Sequence, residues 1–219
     1  MTDWSTTVAL TQGRLECHPA TSQRFGDLET VFGERGVARK CFCMWWRRPV
    51  GGTVDDADNK EKFKGVVEAG PPPGLIGYLD GTPVGWVQVG PRADFPALDR
   101  SKTLGRLDTV EVWSINCFVV RTGYRNRGVG SALALAAVEY GRWQGAEVLE
   151  AYPYDDTAWS AGNYFTGTTG MFEELGFEEV ARRKPTRPIV RLDATAQDSE
   201  AIGSSQAILP ESPQSLSKE

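Results

Sequence analysis

The chain has little imidazole or thiol chemistry at its disposal. His18 is the single histidine in 219 residues, and Cys17, Cys41, Cys43 and Cys117 are the four cysteines. Four thiols in a chain this long are too few for a disulfide scaffold, so they are expected to be free and packed. Cys17, His18, Cys41 and Cys43 are ligand types that zinc accepts, but they lack the paired CxxC spacing, and no metal is expected. A nucleophilic Cys117 would have His18 alone to activate it, whereas a cysteine in an apolar strand ordinarily serves as a small apolar residue. Long hydrophobic runs are missing too: no eighteen consecutive apolar residues occur, and the start MTDWSTTVAL has neither the basic opening nor the apolar stretch of a secretory signal. The expectation is a cytoplasmic protein with no membrane partner.

Excess charge is small. The net charge is −5, of which Asp198, Glu200, Glu211 and Glu219 against Lys218 account for −3, leaving −2 for residues 1–193. A near-neutral body argues against nucleic acid as a partner, which usually needs a strongly basic footprint. The run Arg182-Arg-Lys-Pro-Thr-Arg187 reads in this setting as a solvated turn between strands. With 40% hydrophobic and 24% charged residues, the length fits one α/β domain. From Ala194 onward Ser, Gln, Pro and Glu dominate without periodicity, so residues 1–193 are assigned to the domain and 194–219 to a disordered tail.

Along the domain, Arg14–His18 reads as a strand. Phe25, Leu28, Val31 and Phe32 then stand at helical spacing after the capping candidates Thr21 and Ser22. Thr53-Val-Asp-Asp56 is a candidate capping box for a second helix carrying Phe63, Val66 and Val67, which Gly70-Pro-Pro-Pro-Gly74 ends. Leu75–Leu79 and Val84–Val89 flank Asp80-Gly81, a pair suited to the positive φ angles of a tight hairpin. A long strand is expected over Val110–Val120. A helix follows over Val129–Trp143, with Leu133, Ala136, Ala137 and Tyr140 on one face. Glu147–Tyr152 reads as a strand, Met171–Leu175 as a short helix closed by Gly176, and Glu178–Arg182 with Pro188–Leu192 as a closing pair. The expected order is β-α-α-β-β-β-α-β-α-β-β.

Between the long strand and its helix stands Arg125-Asn-Arg-Gly-Val-Gly130. Such a turn brings successive backbone N–H groups to a helix N-terminus, where unpaired donors and the positive end of the helix dipole suit a pyrophosphate. Gly128 and Gly130 let backbone approach the anion with no Cβ in the way. A dinucleotide site would instead show GxGxxG near the start of a parallel βαβ series; here the glycines are spaced GxG and follow an antiparallel hairpin.

The stretch Phe118-Val-Val-Arg-Thr-Gly-Tyr-Arg-Asn-Arg-Gly-Val-Gly-Ser-Ala-Leu133 resembles the acetyl-CoA signature of the GNAT acyltransferase superfamily, and Met171-Phe-Glu-Glu-Leu-Gly-Phe177 resembles that family's short helix and GF ending. The resemblance covers roughly residues 14–193. It implies a mixed, mainly antiparallel α/β (α+β) sheet with a splayed central strand pair and flanking helices. It also implies acetyl-CoA as co-substrate, held by backbone groups of Phe118, Val119 and Val120 and by the turn Arg125, Asn126, Arg127, Gly128, Val129, Gly130 and Ser131. The thioester would sit in the gap between Val110–Val120 and Glu147–Tyr152.

Direct transfer needs a neutral amine, and removing a proton from a lysine-like amine costs roughly 4–5 kcal/mol at pH 7. Of the polar strand residues Glu111, Ser114, Asn116 and Glu150, only the glutamates act as bases near neutrality, and Glu111 is the candidate chosen. Many relatives carry an acidic tyrosine four residues before the glycine of the GF motif; here that position is Phe172. Tyr164 is the substitute candidate, with Tyr152, Tyr154 or solvent as alternatives. Met44-Trp-Trp-Arg-Arg48 reads either as an aromatic wall for the acceptor, with arginine available for a carboxylate, or as a packing loop. The expected activity is N-acetylation of a small-molecule amine. A catalytically weak acyl-CoA sensor and a protein or peptide N-acetyltransferase are the competing readings, and a homodimer is left open.

Overall fold

The structure, a computed structural model, describes residues 4–34, 36–49, 58–155 and 165–196. Its frame is an eight-stranded sheet. In chain order the strands are β1 (Thr6–Ala9), β2 (Arg14–Pro19), β3 (Gly74–Leu79), β4 (Thr82–Pro91), β5 (Trp113–Val120), β6 (Val148–Ala151), β7 (Glu178–Lys184) and β8 (Arg187–Asp193). They lie side by side as β1-β2-β3-β4-β5-β6-β8-β7. Neighbours are antiparallel throughout except β5 and β6. The helices are α1 (Phe25–Phe32), α2 (Val37–Cys41), α3 (Asn59–Ala69), α4 (Pro96–Asp99), α5 (Val129–Trp143) and α6 (Thr169–Glu173). Among the described residues no helix is long and apolar enough to cross a membrane.

The hairpin forms where expected, Asp80 and Gly81 taking φ of 48° and 71° between β3 and β4, the mirror-image turn that matches strand twist. α5 has the expected bounds. It buries Leu133, Ala136, Ala137 and Tyr140 on the sheet face built by Leu15, Leu75, Val87, Val89, Ile115 and Leu149. Gly85 lets it sit close, since a Cβ there would stand 2.8 Å from Leu133 Cδ1. The opposite face carries α1 to α3, with Phe25, Leu28, Phe32, Phe42, Phe63 and Trp86 packed together. A third cluster, Trp46, Phe95, Leu98, Leu104, Tyr152 and Ile189, closes the end of that face beside β6 and β8.

Four expectations are corrected. β1 joins the sheet ahead of the first expected strand, because Val8 alone is fully buried in a four-residue edge and the pattern is too short to read. β5 starts at Trp113 rather than Val110; Glu111 is exposed, the Val110 amide donates to Asp108 Oδ1 and Val112 O accepts the Arg92 amide, so this segment bonds to loops rather than to a strand ladder. α6 ends at Glu173 rather than Leu175. Ala194 belongs with the domain: it is buried, and its amide donates to Glu147 O at 2.8 Å. The Thr53–Asp56 capping box lies outside the described residues, as does everything after Ala196.

What positions the site is a local failure of pairing. β5 is bonded to β4 along its whole length, but to β6 only through Trp113–Ile115 against Leu149–Ala151. β6 stops there because Pro153, two residues on, has no N–H to give. Opposite, the register shifts between Gln88 and Val89, leaving Asn116 as the extra residue of a β-bulge, which bends and twists β5. The second half of β5 therefore opens from β6 and runs into the turn ahead of α5.

Candidate active site

In that turn Asn126 has φ of 57° and Gly128 φ of 78°, so Gly128 caps α5 in the left-handed region with no side-chain cap. The first intrahelical bond is Ala132 N–H to Gly128 O at 3.0 Å. The amides of Val129, Gly130 and Ser131 thus have no partner within the helix. Arg125 Nε–H donates to Val120 O at 3.0 Å, tying the turn back to the strand. The guanidiniums of Arg121 and Arg127 each lie under 6 Å from the Tyr124 ring, so the turn is lined with positive charge. A strand half without a parallel neighbour, ending at an open helix N-terminus, fits a long ligand with an extended amide arm and an anionic middle. Residues 39–177 match the family described as "Acetyltransferase (GNAT) family". The chain belongs to that family.

Solved structures agree in fold. The GNAT domain of S. lividans PAT superposes with a TM-score of 0.55 at 16% identity, over 88% of this chain and 98% of that one. A GNAT-family acetyltransferase from Listeria monocytogenes gives 0.53 at 8%, over 85% and 99%. Mycobacterium smegmatis RimJ in complex with CoA-disulfide gives 0.52 at 10%, over 86% of each chain. No curated protein sequence matches the chain.

On this GNAT frame the backbone of β5 is already partly engaged. Phe118 N–H, expected to be available to a pantetheine arm, donates to Phe165 O at 2.6 Å. The following residues are bonded to Tyr154, whose amide reaches Gly167 O and whose carbonyl accepts the Thr169 amide. Residues 165–168 therefore stand at the mouth of the splay.

Glu150 is not a base in waiting. It is 1% exposed, and Arg92 Nη1, Arg191 Nε and the Tyr152 hydroxyl donate to its oxygens at 2.6, 2.8 and 2.7 Å. Burial first, then Glu150 beside it, pushes the Tyr152 phenol well above its ordinary value. Its oxygen also accepts from Arg92 and meets the Ser114 hydroxyl at 2.8 Å. This is a satisfied clamp joining the turn after β4 to β5, β6 and β8, and it cannot be read from pattern because the partners lie 41 and 58 residues apart. Glu111 sits in the segment before β5 with its side chain 84% exposed and its carboxylate 3.6 Å from Arg106. Tyr164 lies outside the described residues. Phe172 is fully buried, with its ring against Phe118 and Phe177.

The Trp-Trp-Arg-Arg run is divided between packing and exposure. Trp46 is buried, and its indole N–H donates to the carbonyl of the bulge residue Asn116 at 2.9 Å. Trp45 is exposed with Arg48 stacked on it, and Phe165 lies 6.3 Å from Trp46. The four cysteines are free. Burial pushes the Cys17, Cys41 and Cys43 thiols up, Cys41 to about 11, so these three are neutral packing groups. Among the described residues no group of three His, Cys, Asp or Glu stands close enough to hold a metal.

Proposed function

We propose that this chain is an N-acetyltransferase that moves an acetyl group from acetyl-CoA directly to the amine of a small-molecule acceptor. The observation that carries the reading is the junction of the unpaired half of β5 with the left-handed Gly128 turn. Backbone of Phe118, Val119 and Val120 would hold the arm. Arg125, Asn126, Arg127, Gly128, Val129, Gly130 and Ser131 would hold the pyrophosphate, by N–H groups and charge. The donor at Phe118 would pass from Phe165 O to the ligand.

Bound acetyl-CoA supplies the acetyl group as a thioester. The acceptor nitrogen bonds to the acetyl carbon as the carbon–sulfur bond breaks; nitrogen gives up one proton and sulfur takes one. With Glu150 committed to two arginines, Glu111 is the proposed proton acceptor, acting through water from its solvent-facing position. Tyr164 is the proposed donor to sulfur. A small acceptor is favoured over a peptide by the wall of Trp46, Phe95 and Leu98 packed against the bulge side of the sheet.

The test is release of CoA thiol from acetyl-CoA over a panel of amines, amino acids and peptides. Turnover of small amines supports the proposal. Tight acetyl-CoA binding without thiol release on any amine would make the chain a sensor, and turnover confined to peptides would make it a protein acetyltransferase.

A further inference from the structure

On β4, Val87 and Val89 face α5 while Trp86 packs with α1 and α3, so Gln88 and Gly90 share the Trp86 face. Gly90 puts no side chain there, and a Cβ built on it would stand 3.6 Å from Asp94 Oδ2 and 3.7 Å from the Phe95 ring. Over that same ring lies the Arg47 guanidinium, 4.7 Å from its centroid.

Arg47 is held at one corner only. Its Nη1 is 3.4 Å from Asp94, its side chain is 9% exposed, and both Nε and Nη2 are buried without a partner. Gln88 donates from Nε2 to Cys43 O at 3.1 Å, and its Oε1 has no partner. Asn116 is buried, and both Oδ1 and Nδ2 lack partners. The three residues are knitted into one neighbourhood. Trp46, beside Arg47, bonds the Asn116 carbonyl; Cys43, which Gln88 bonds, touches the sulfur of Cys117 at 3.3 Å; and Cys117 stands opposite Gln88 in the ladder.

Buried polar atoms are nearly always bonded, and of the five left over around one bulge, four form two sets that a single small ligand can bond. What they ask for is specific. The Nε–Nη2 edge of a guanidinium presents two parallel donors that match a carboxylate. Gln88 Oε1 and Asn116 Oδ1 are acceptors and need N–H groups.

Resting on the acetyltransferase reading above, we infer that Arg47, Gln88 and Asn116 form the acceptor subsite and that the acceptor is a free amino acid, its carboxylate on Arg47 and its amine on the two amide oxygens. The bulge at Asn116 sets that amine beside the point where β5 leaves β6, and Trp45 and Phe165 offer an aromatic surface for the amino acid's side chain.

The experiment compares glycine, L-leucine and L-phenylalanine with their carboxamides, by calorimetric binding and by thiol release, in the wild type, Arg47→Lys and Gln88→Glu. At least one amino acid should bind at least tenfold tighter than its amide, a difference the calorimeter resolves directly. Arg47→Lys, which keeps the charge but not the fork, should reduce that preference severalfold or more. Gln88→Glu, which replaces a neutral amide of the subsite with an anion that competes for the ligand's amine and repels its carboxylate, should abolish it. Acetyl-CoA affinity should hold in both variants, showing a folded cofactor site; Tm should hold in Arg47→Lys and fall in Gln88→Glu, whose carboxylate cannot donate to Cys43 O. Equal binding of acid and amide, no binding of either, or a preference untouched by both variants would overturn the inference. Amino-acid binding that depends on Arg47 but yields no thiol release would leave the subsite standing and sink the acetyltransferase reading instead.

Discussion

Replacing Gly128 separates backbone shape from charge in the turn ahead of α5. At φ of 78° any side chain is strained, by about 1–2 kcal/mol. There is room for it, because a Cβ would meet only Leu10 Cδ2 at 3.6 Å. Gly128→Ala should therefore fold and lose roughly 2–8 °C in Tm for a domain of this size. That backbone strain is present with or without ligand, so acetyl-CoA affinity should fall less than about tenfold. Gly128→Asp adds a negative charge where the diphosphate is expected. At a separation of about 5 Å and an effective dielectric near 20, each pair of like charges costs roughly 3 kcal/mol. Affinity should then fall more than about a hundredfold, read by isothermal titration calorimetry at 0.15 M salt alongside thermal melts, roughly the ionic strength of a cell. Equal affinity in Gly128→Asp and wild type would refute the assignment of this turn to pyrophosphate.

Other expectations follow from particular contacts. Glu150→Gln leaves Arg92 buried and Arg191 half-satisfied; loss of one partner of a buried pair costs about 3–5 kcal/mol, and a Tm change under about 2 °C would show the clamp to be dispensable. Phe172→Tyr should change kcat by less than about tenfold, whereas a gain of a hundredfold would mean the missing phenol limits turnover. Glu111→Gln should lower kcat severalfold or more at neutral pH if its carboxylate takes the amine proton, and an unchanged pH–rate profile would assign that proton to bulk solvent. Truncation after Ala196 should leave Tm and acetyl-CoA affinity unchanged. Truncation after Asp193 removes the buried Ala194 and its bond to Glu147, and should cost about 1–2 kcal/mol.

Local signals were the legible ones. α5 could be bounded from the glycine turn at one end and the apolar face along its length, and the β3–β4 hairpin from Asp80-Gly81 and its flanking apolar runs. Residues whose meaning depends on distant partners could not be read. Thr6–Ala9 is a strand because β2 is beside it. Glu150 has the chemistry of a base in sequence, and its pairing with Arg92 and Arg191 is set by residues far from it in the chain. Val110–Val112 has strand composition, but β4 and β6 pair with β5 only from Trp113 onward. The roles of Gln88 and Asn116 are not legible in sequence because their want of partners exists only in three dimensions.

The interrupted pairing between β5 and β6 has a consequence for self-association. A protein that leaves strand backbone bare runs the hazard that any unpaired strand poses, recruitment of another chain's strand. Here the bare stretch lies in the middle of the sheet, flanked by β4 on one side and by residues 165–168 at its mouth, where no second sheet can dock edge to edge. The outer edge at β7 is guarded differently, by Glu178, Glu179, Arg182, Arg183 and Lys184 within seven residues. The internal splay and the charged rim are two answers to the same aggregation problem, one hiding the open hydrogen bonds inside the molecule and the other surrounding them with charge.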